Sequence, residues 1–203
     1  LLGAPAEALW SGLAFMRDYN RGVIAQLSGD VVVVGGGFTA VDCARASARA
    51  ARRLLGEGPA VSIFYRRSEE FLAATQDELE ELDREHITVR TLATPVAARS
   101  VDGRLTRVVF QRNVLERSRG EAKPRLVPVP DSDFLVPCRH LIIAIGQEQD
   151  WGLLPAGLSI TEGLRTTYNH VFVAGDFATG SESVIKAVAG GKAVAEAIDT
   201  FLM

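Results

Sequence analysis

Residues 30–40 read Asp-Val-Val-Val-Val-Gly-Gly-Gly-Phe-Thr-Ala. Four consecutive valines, 31–34, make a short apolar run of the kind found in strands buried on both faces. Three glycines end the run. From Phe38 to Leu55, Val41, Ala44, Ala48, Ala51 and Leu55 then recur at helical spacing. That spacing predicts a helix whose small inner residues let it approach a sheet closely. Gly35-Gly36-Gly37-Phe38-Thr39-Ala40 therefore sits between strand and helix and matches GxGxxG/A, with alanine in the last place. In such a turn Gly35 makes the tight bend, Gly37 leaves room for a pyrophosphate against the backbone, and Ala40 keeps helix and strand close. The helix start turns unsatisfied N–H groups and the positive end of its dipole toward the phosphates. A glycine pattern alone could mark any tight turn. The strand before it and the helix after it make these six residues a candidate dinucleotide site.

Gly56, Gly58 and Pro59 stop the helix, and 60–65 (AVSIFY) is the next apolar strand. Strand, helix and strand with such short loops form a βαβ unit, right-handed and parallel. The second strand ends Phe64-Tyr65-Arg66-Arg67-Ser68. Sites for NAD place a carboxylate at this tip to bond the ribose 2′-hydroxyl. Two guanidinium groups stand there instead, and they suit a 2′-phosphate, so the expected cofactor is NADP(H). The plainer reading is a surface pair engaging Glu69 or Glu70.

Upstream, residues 6–20 place Leu9, Leu13 and Met16 on one helical face. Downstream, 76–86 reads as a helix with Leu79 and Leu82 inward and a solvated acidic face of Asp77, Glu78, Glu80 and Glu81. The pattern then alternates over 87–91, 95–101, 105–113 and 125–136, with Asp102-Gly103 as a turn and 116–125 as an exposed hairpin tip. A buried strand returns at 141–145 and ends at Gly146. A last strand, 171–174, leads through Gly175-Asp176 to a helix over 182–201. The fold class expected is α/β, a Rossmann-like parallel sheet with an inserted antiparallel β flap.

Apolar residues make up 47% and charged residues 23%, an ordinary globular balance. A formal net charge of −3 gives no reason to expect nucleic acid or an anionic membrane as partner, and no apolar run is long enough to span a bilayer. Leu1 to Pro5 carry neither an initiator Met nor the basic start of a signal peptide, and read as a cut inside a longer chain. Cys43 and Cys138 fall in no ligand spacing and are expected as buried thiols in a reducing compartment. His86, His140 and His170 are equally scattered, and no metal site is expected.

Four stretches together resemble the two-dinucleotide-binding-domain flavoproteins, most closely the glutamate synthase small (beta) subunit. They are VVVVGGGFTAVDCARASAR (31–49), FYRR (64–67), IIAIG (142–146) and VFVAGDFATGSESVIKAVAGGKAVAEAI (171–198). The resemblance implies a nicotinamide domain inserted into an FAD domain, with NADPH passing hydride to the flavin and on to an acceptor. Residues 1–28 would be a linker helix, 29–146 the NADP(H)-binding domain, and 147–203 the C-terminal portion of the FAD-binding domain. Asp176 would hold the FAD ribityl chain, Ser183 and Val184 would lie by the flavin pyrimidine edge, and Gly146 and Gly175 would be further cofactor-binding residues. No catalytic acid or base is expected, because the cofactors carry the chemistry.

Two departures stand out. The family's first GxGxxG would precede residue 1, so this stretch by itself is not expected to retain FAD. The loop after Arg67 reads Phe71-Leu72-Ala73-Ala74, where relatives carry Met-Pro-Ala. The implied partners are the N-terminal half of the FAD domain and an acceptor subunit or iron–sulfur domain. The strand at 171–174 would either pack on the nicotinamide domain or join two copies as a homodimer. The location implied is cytoplasmic. Two rivals remain: a dehydrogenase acting directly on a small substrate, which would need a pocket His, Tyr or Lys as proton relay, and a non-catalytic NADPH-binding or subunit-docking module.

Overall fold

The computed structural model describes residues 3–55, 58–117, 124–146, 150, 152, 154–161, 164–180 and 183–203, with 52–55 described by backbone alone. Two compact units divide the chain, Leu1–Ile145 and Gly146–Met203.

In the first unit the strands β1 (Leu9–Ser11), β2 (Val31–Val34), β3 (Val61–Phe64), β4 (Ile87–Arg90) and β9 (His140–Ile143) form one parallel sheet in the order β1-β9-β2-β3-β4. The four valines of β2 occupy its centre and are all buried, as a strand covered on both faces requires. Alternation then sorts the side chains. Val31, Val33, Val61, Ile63 and Ile142 face a layer of helices, α1 (Gly12–Asn20), α2 (Phe38–Leu55) and α3 (Gln76–Arg84). Val32, Val34, Phe64 and Leu141 face an antiparallel layer, β5 (Ala93–Val101), β6 (Arg104–Glu116), β7 (Arg125–Pro128) and β8 (Phe134–Pro137). The inner face of α2 carries Ala40, Val41, Ala44, Ala48 and Ala51, all buried, so the helix lies close on the sheet. On the opposite face Phe110 stacks on Phe64 at 4.0 Å between ring centroids and on Phe134 at 5.9 Å. Those rings fasten the flap to the sheet.

The flap is built around β6. Its first half pairs with β5 on one side and with β8 on the other, and its second half pairs with β7. Asp102 and Gly103 turn β5 into β6 with φ of 49° and 72°, the positive pair that a tight two-residue hairpin needs. The run 125–136, expected as one strand, is two. Asp131 bends the chain at φ 51°, and the Ser132 hydroxyl donates to the Val129 carbonyl at 2.6 Å while accepting from the Arg112 amide. The tip at 118–123 lies outside the described residues.

The single helix expected over 6–20 is also corrected. Leu9–Ser11 is an edge strand pairing with β9, and the helix begins only at Gly12, where the Ser11 hydroxyl accepts from the Ala14 amide. Consequently Phe15 is the fully buried residue and Leu13 is 52% exposed. The helix α3 starts in a Thr75/Glu78 capping box. Its acidic face is partly engaged, since Glu81 meets Arg45 of α2 at 2.8 Å.

In the second unit, 171–174 does not form a strand. Phe172 makes one isolated bridge with Arg165, and the Thr166 hydroxyl donates toward the carbonyls of Tyr168 and Val171. A short helix, α4 (Asp176–Thr179), follows Gly175, and α5 (Val184–Leu202) follows Ser183.

Candidate dinucleotide-binding site

The six residues of the glycine pattern lie at the C-terminal end of β2, and Arg66 and Arg67 lie just beyond the C-terminal end of its neighbour β3. The outer edge of a parallel sheet between strand ends and helix starts is where such folds bind ligands.

Packing requires two of the three glycines and leaves the third open. A Cβ on Gly35 would lie 2.2 Å from the Ala144 carbonyl oxygen and 3.0 Å from the Ala40 Cβ, so the turn touches the end of β9 as well as its own helix. A Cβ on Gly36 would lie 2.3 Å from the Tyr65 ring. A Cβ on Gly37 would meet nothing within 4 Å, and its φ is outside the left-handed region. Neither packing nor backbone geometry demands glycine at 37. What a missing side chain leaves there is open backbone at a helix start, as close approach of a pyrophosphate needs. The Gly37 carbonyl accepts from Ala40 at 3.0 Å and from Val41 at 3.4 Å, opening α2. Phe38 is 52% exposed, and Thr39 is half-buried with its methyl toward Gly12.

The Arg66 side chain is exposed and that of Arg67 half-buried. Among the described residues neither guanidinium has a carboxylate at ion-pair distance, and Glu70 pairs instead with Arg117 at 3.9 Å. The surface-pair alternative with Glu69 or Glu70 is therefore not what the structure contains. The Arg67 guanidinium lies over the Phe71 ring, 5.6 Å from its centroid. No acidic side chain stands at the tip of β3 itself.

Several residues that shape this corner were missed by the sequence reading. Tyr65 backs Gly36 with its ring and donates from its hydroxyl to the Phe71 carbonyl at 3.0 Å. The Ala73 amide donates to the Gly36 carbonyl at 2.8 Å. The loop 68–74 is thereby tied to the glycine turn. Gly12 abuts Thr39 and Ala144, where a Cβ would fall within 2.9 Å and 3.1 Å of their side chains, and its carbonyl accepts from the Cys43 thiol at 3.5 Å. No local pattern in the sequence marks Gly12 or Ala144, because their contacts join elements far apart in the chain. Burial pushes the Cys43 and Cys138 thiols up to about 12, so both stay protonated packing residues.

The remaining candidates belong to the second unit. Gly146 has φ 102° and Gly175 φ 60°, backbone that only glycine adopts easily. Gly175 lies against α5, where a Cβ on Gly190 would come within 3.3 Å of its amide nitrogen. Asp176 is in the first turn of α4. The Ser183 hydroxyl accepts from the Lys186 amide at 3.4 Å and caps α5, leaving Val184 80% exposed at its start.

Comparison with known proteins agrees with this architecture. The chain is 32% identical over 201 residues to the NADP(+)-dependent formate dehydrogenase subunit beta of Moorella thermoacetica, covering 94% of the chain and 28% of that protein. It is 26% identical over 187 residues to the small chain of the NADPH glutamate synthase of Escherichia coli, covering 85% of the chain and 38% of that protein. Among solved structures, FprA of Mycobacterium tuberculosis in complex with NADPH superposes with a TM-score of 0.72 at 20% identity, over 100% of the chain and 60% of that protein. The chain thus spans well under half the length of these two relatives. Residues 2–191 match the family described as pyridine nucleotide-disulphide oxidoreductase, and the chain belongs to that family.

Proposed function

We propose that this chain is the NADP(H)-binding part of a flavin-dependent oxidoreductase, taking hydride from NADPH to FAD and on to an acceptor subunit or domain. The observation that carries the reading is the pairing of an open glycine at the start of α2 with two guanidiniums, unpaired by any described carboxylate, at the tip of the next strand. The backbone amides of Phe38 and Thr39 hold the pyrophosphate, and Gly37 keeps the approach clear. Arg66 and Arg67 grip the 2′-phosphate, which NADH lacks. The names of the Moorella and Escherichia relatives, which specify NADP(+) and NADPH, favour the same choice.

The first unit is read as the NADP(H)-binding domain and the second as the C-terminal portion of an FAD-binding domain. In the second unit a carboxylate in a turn, at Asp176, suits ribityl hydroxyls. The exposed start of α5 at Ser183 and Val184 offers N–H donors to a flavin's carbonyl edge. When bound, the nicotinamide supplies the hydride. The chain's own residues bind, orient and discriminate, and none is assigned an acid or base role. The relatives' designations as a beta subunit and a small chain favour an acceptor on a partner polypeptide. Two buried, protonated thiols suit a cytoplasmic setting.

The test is a titration of NADPH and NADH into the wild type and an Arg66→Ala, Arg67→Ala double variant. Loss of the charge-assisted contacts costs about 1.5–3 kcal/mol, so NADPH weakens by roughly 10- to 150-fold while NADH is unaffected. Equal affinities for the two nucleotides in the wild type would refute the reading.

A further inference from the structure

We propose that Asn113, on the antiparallel flap, is a positioning residue for cofactor choice, holding the Arg66 peptide so that the guanidiniums at the tip of β3 stand ready for a 2′-phosphate. The inference rests on the NADP(H) reading above and extends it to a residue outside the βαβ unit.

Three successive carbonyls at the tip of β3 are each held by the flap or its lead-in. Tyr65 O accepts from the Ala93 amide at 3.1 Å, and Arg67 O accepts from the Leu92 amide at 3.0 Å. Between them Arg66 O accepts from Asn113 Nδ2 at 3.1 Å. The outer two bonds come from backbone amides, which ordinary substitutions leave in place. The middle one comes from a side chain, so it exists only because residue 113 is asparagine. The second Nδ2 hydrogen goes to Thr94 Oγ1 at 2.8 Å. The amide orientation follows from this geometry, because the Arg66 carbonyl can only accept and must face Nδ2.

Asn113 is 4% exposed, and its Oδ1 is buried with no partner among the described residues. A buried amide with an orphaned acceptor is costly, and what offsets the cost here is that both Nδ2 hydrogens are used, one of them on the Arg66 carbonyl. The lead-in is also conformationally restrained. Leu92, whose amide donates to the Arg67 carbonyl and whose carbonyl accepts from the Asn113 amide at 2.8 Å, sits at φ 56°, an uncommon backbone for leucine. The flap therefore clamps the arginine loop by one bond that the sequence specifies at residue 113. A loop held in its bound conformation gives up less freedom on binding. That gain falls on the 2′-phosphate contacts and not on the pyrophosphate, which the glycine turn holds.

The experiment compares NADPH and NADH affinities by calorimetric titration in the full chain, for wild type, Asn113→Leu, Asn113→Ala and Thr94→Val. Asn113→Leu removes both donors and keeps the branching, with a larger side chain. Asn113→Ala removes both donors and adds neither bulk nor charge, so it reads the same quantity should the leucine variant fail to fold. The expected result is a preference for NADPH reduced about five- to tenfold in either Asn113 variant, with NADH affinity within roughly twofold of wild type. Thr94→Val removes the other Asn113 bond and leaves the Arg66 tie, so its preference stays at the wild-type value. An unchanged preference in the Asn113 variants overturns the proposal. So does an equal weakening of both nucleotides, or a Thr94→Val variant that behaves as they do. A wild type with no preference would instead overturn the NADP(H) reading on which the proposal stands.

Discussion

Substituting the three glycines of the turn one at a time separates folding from binding. In Gly35→Ala the new methyl would lie 2.2 Å from the carbonyl oxygen of Ala144, just past β9, more than 1 Å inside ordinary contact. Neither the Ala144 carbonyl nor the central strand can yield that distance cheaply, so overpacking costs about 1–3 kcal/mol or more. In Gly36→Ala the methyl would lie 2.3 Å from the Tyr65 ring, which its hydroxyl bond to Phe71 holds in place, and a cost of similar size follows. Gly37→Ala meets no atom within 4 Å and needs no left-handed backbone. Its stability should stay within about 0.5 kcal/mol of wild type or rise slightly, since alanine restricts the unfolded chain. Its methyl would nevertheless stand where the pyrophosphate must reach the α2 amides. Losing one such charge-assisted bond costs about 1.5–3 kcal/mol, a Kd for NADPH weaker by roughly 10- to 150-fold. Thermal melting and NADPH titration on the same three variants give both numbers. If Gly37→Ala melts as wild type and binds NADPH with unchanged affinity, the pyrophosphate does not lie at this turn.

Phe110→Ala removes the fully buried ring that stacks on both Phe64 and Phe134, so chemical denaturation should show a loss of about 3–5 kcal/mol, and a loss below about 1 kcal/mol would mean that the flap is not held by this cluster. A second prediction concerns pH. His140 Nε2 lies 3.1 Å from the Ser28 carbonyl and so carries the hydrogen, while its buried Nδ1 has no partner among the described residues. Burial holds its pKa below the ordinary 6.5, the neighbouring Arg139 charge adds to the shift, and the Ser28 carbonyl opposes it. As pH falls through 6.5 the unfolded chain takes up this proton first, so folding stability must drop below that point and is fully present above it. His140→Gln can keep the donation to Ser28 without titrating, and denaturation curves between about pH 7.5 and 5.5 should lose His140's share of the slope. An identical slope in wild type and variant would refute the assignment.

Local sequence was enough to determine the βαβ heart of this protein. Val31–Val34, the glycine turn and the small residues of α2 each state their role within a few positions, because strand burial, turn geometry and helix periodicity are short-range properties. The same locality exposed Arg66 and Arg67, since a strand end is readable and an acidic residue there would have been seen. It failed where tertiary contact decides. Leu9–Ser11 has apolar spacing compatible with a helix, yet it becomes an edge strand because β9, some 130 residues away in the chain, offers an unpaired parallel partner. Residues 171–174 carry a strand's composition, but the described structure gives Phe172 only an isolated bridge, and a strand exists only when its backbone finds a ladder. The reason Gly35 must be glycine is the Ala144 carbonyl, and the side-chain hold on the arginine loop is Asn113 of the flap. Those contacts join residues 109 and 47 positions apart, and no window of sequence contains both ends. Only the folded sheet, with a helical layer on one face and the flap on the other, brings them to the same corner.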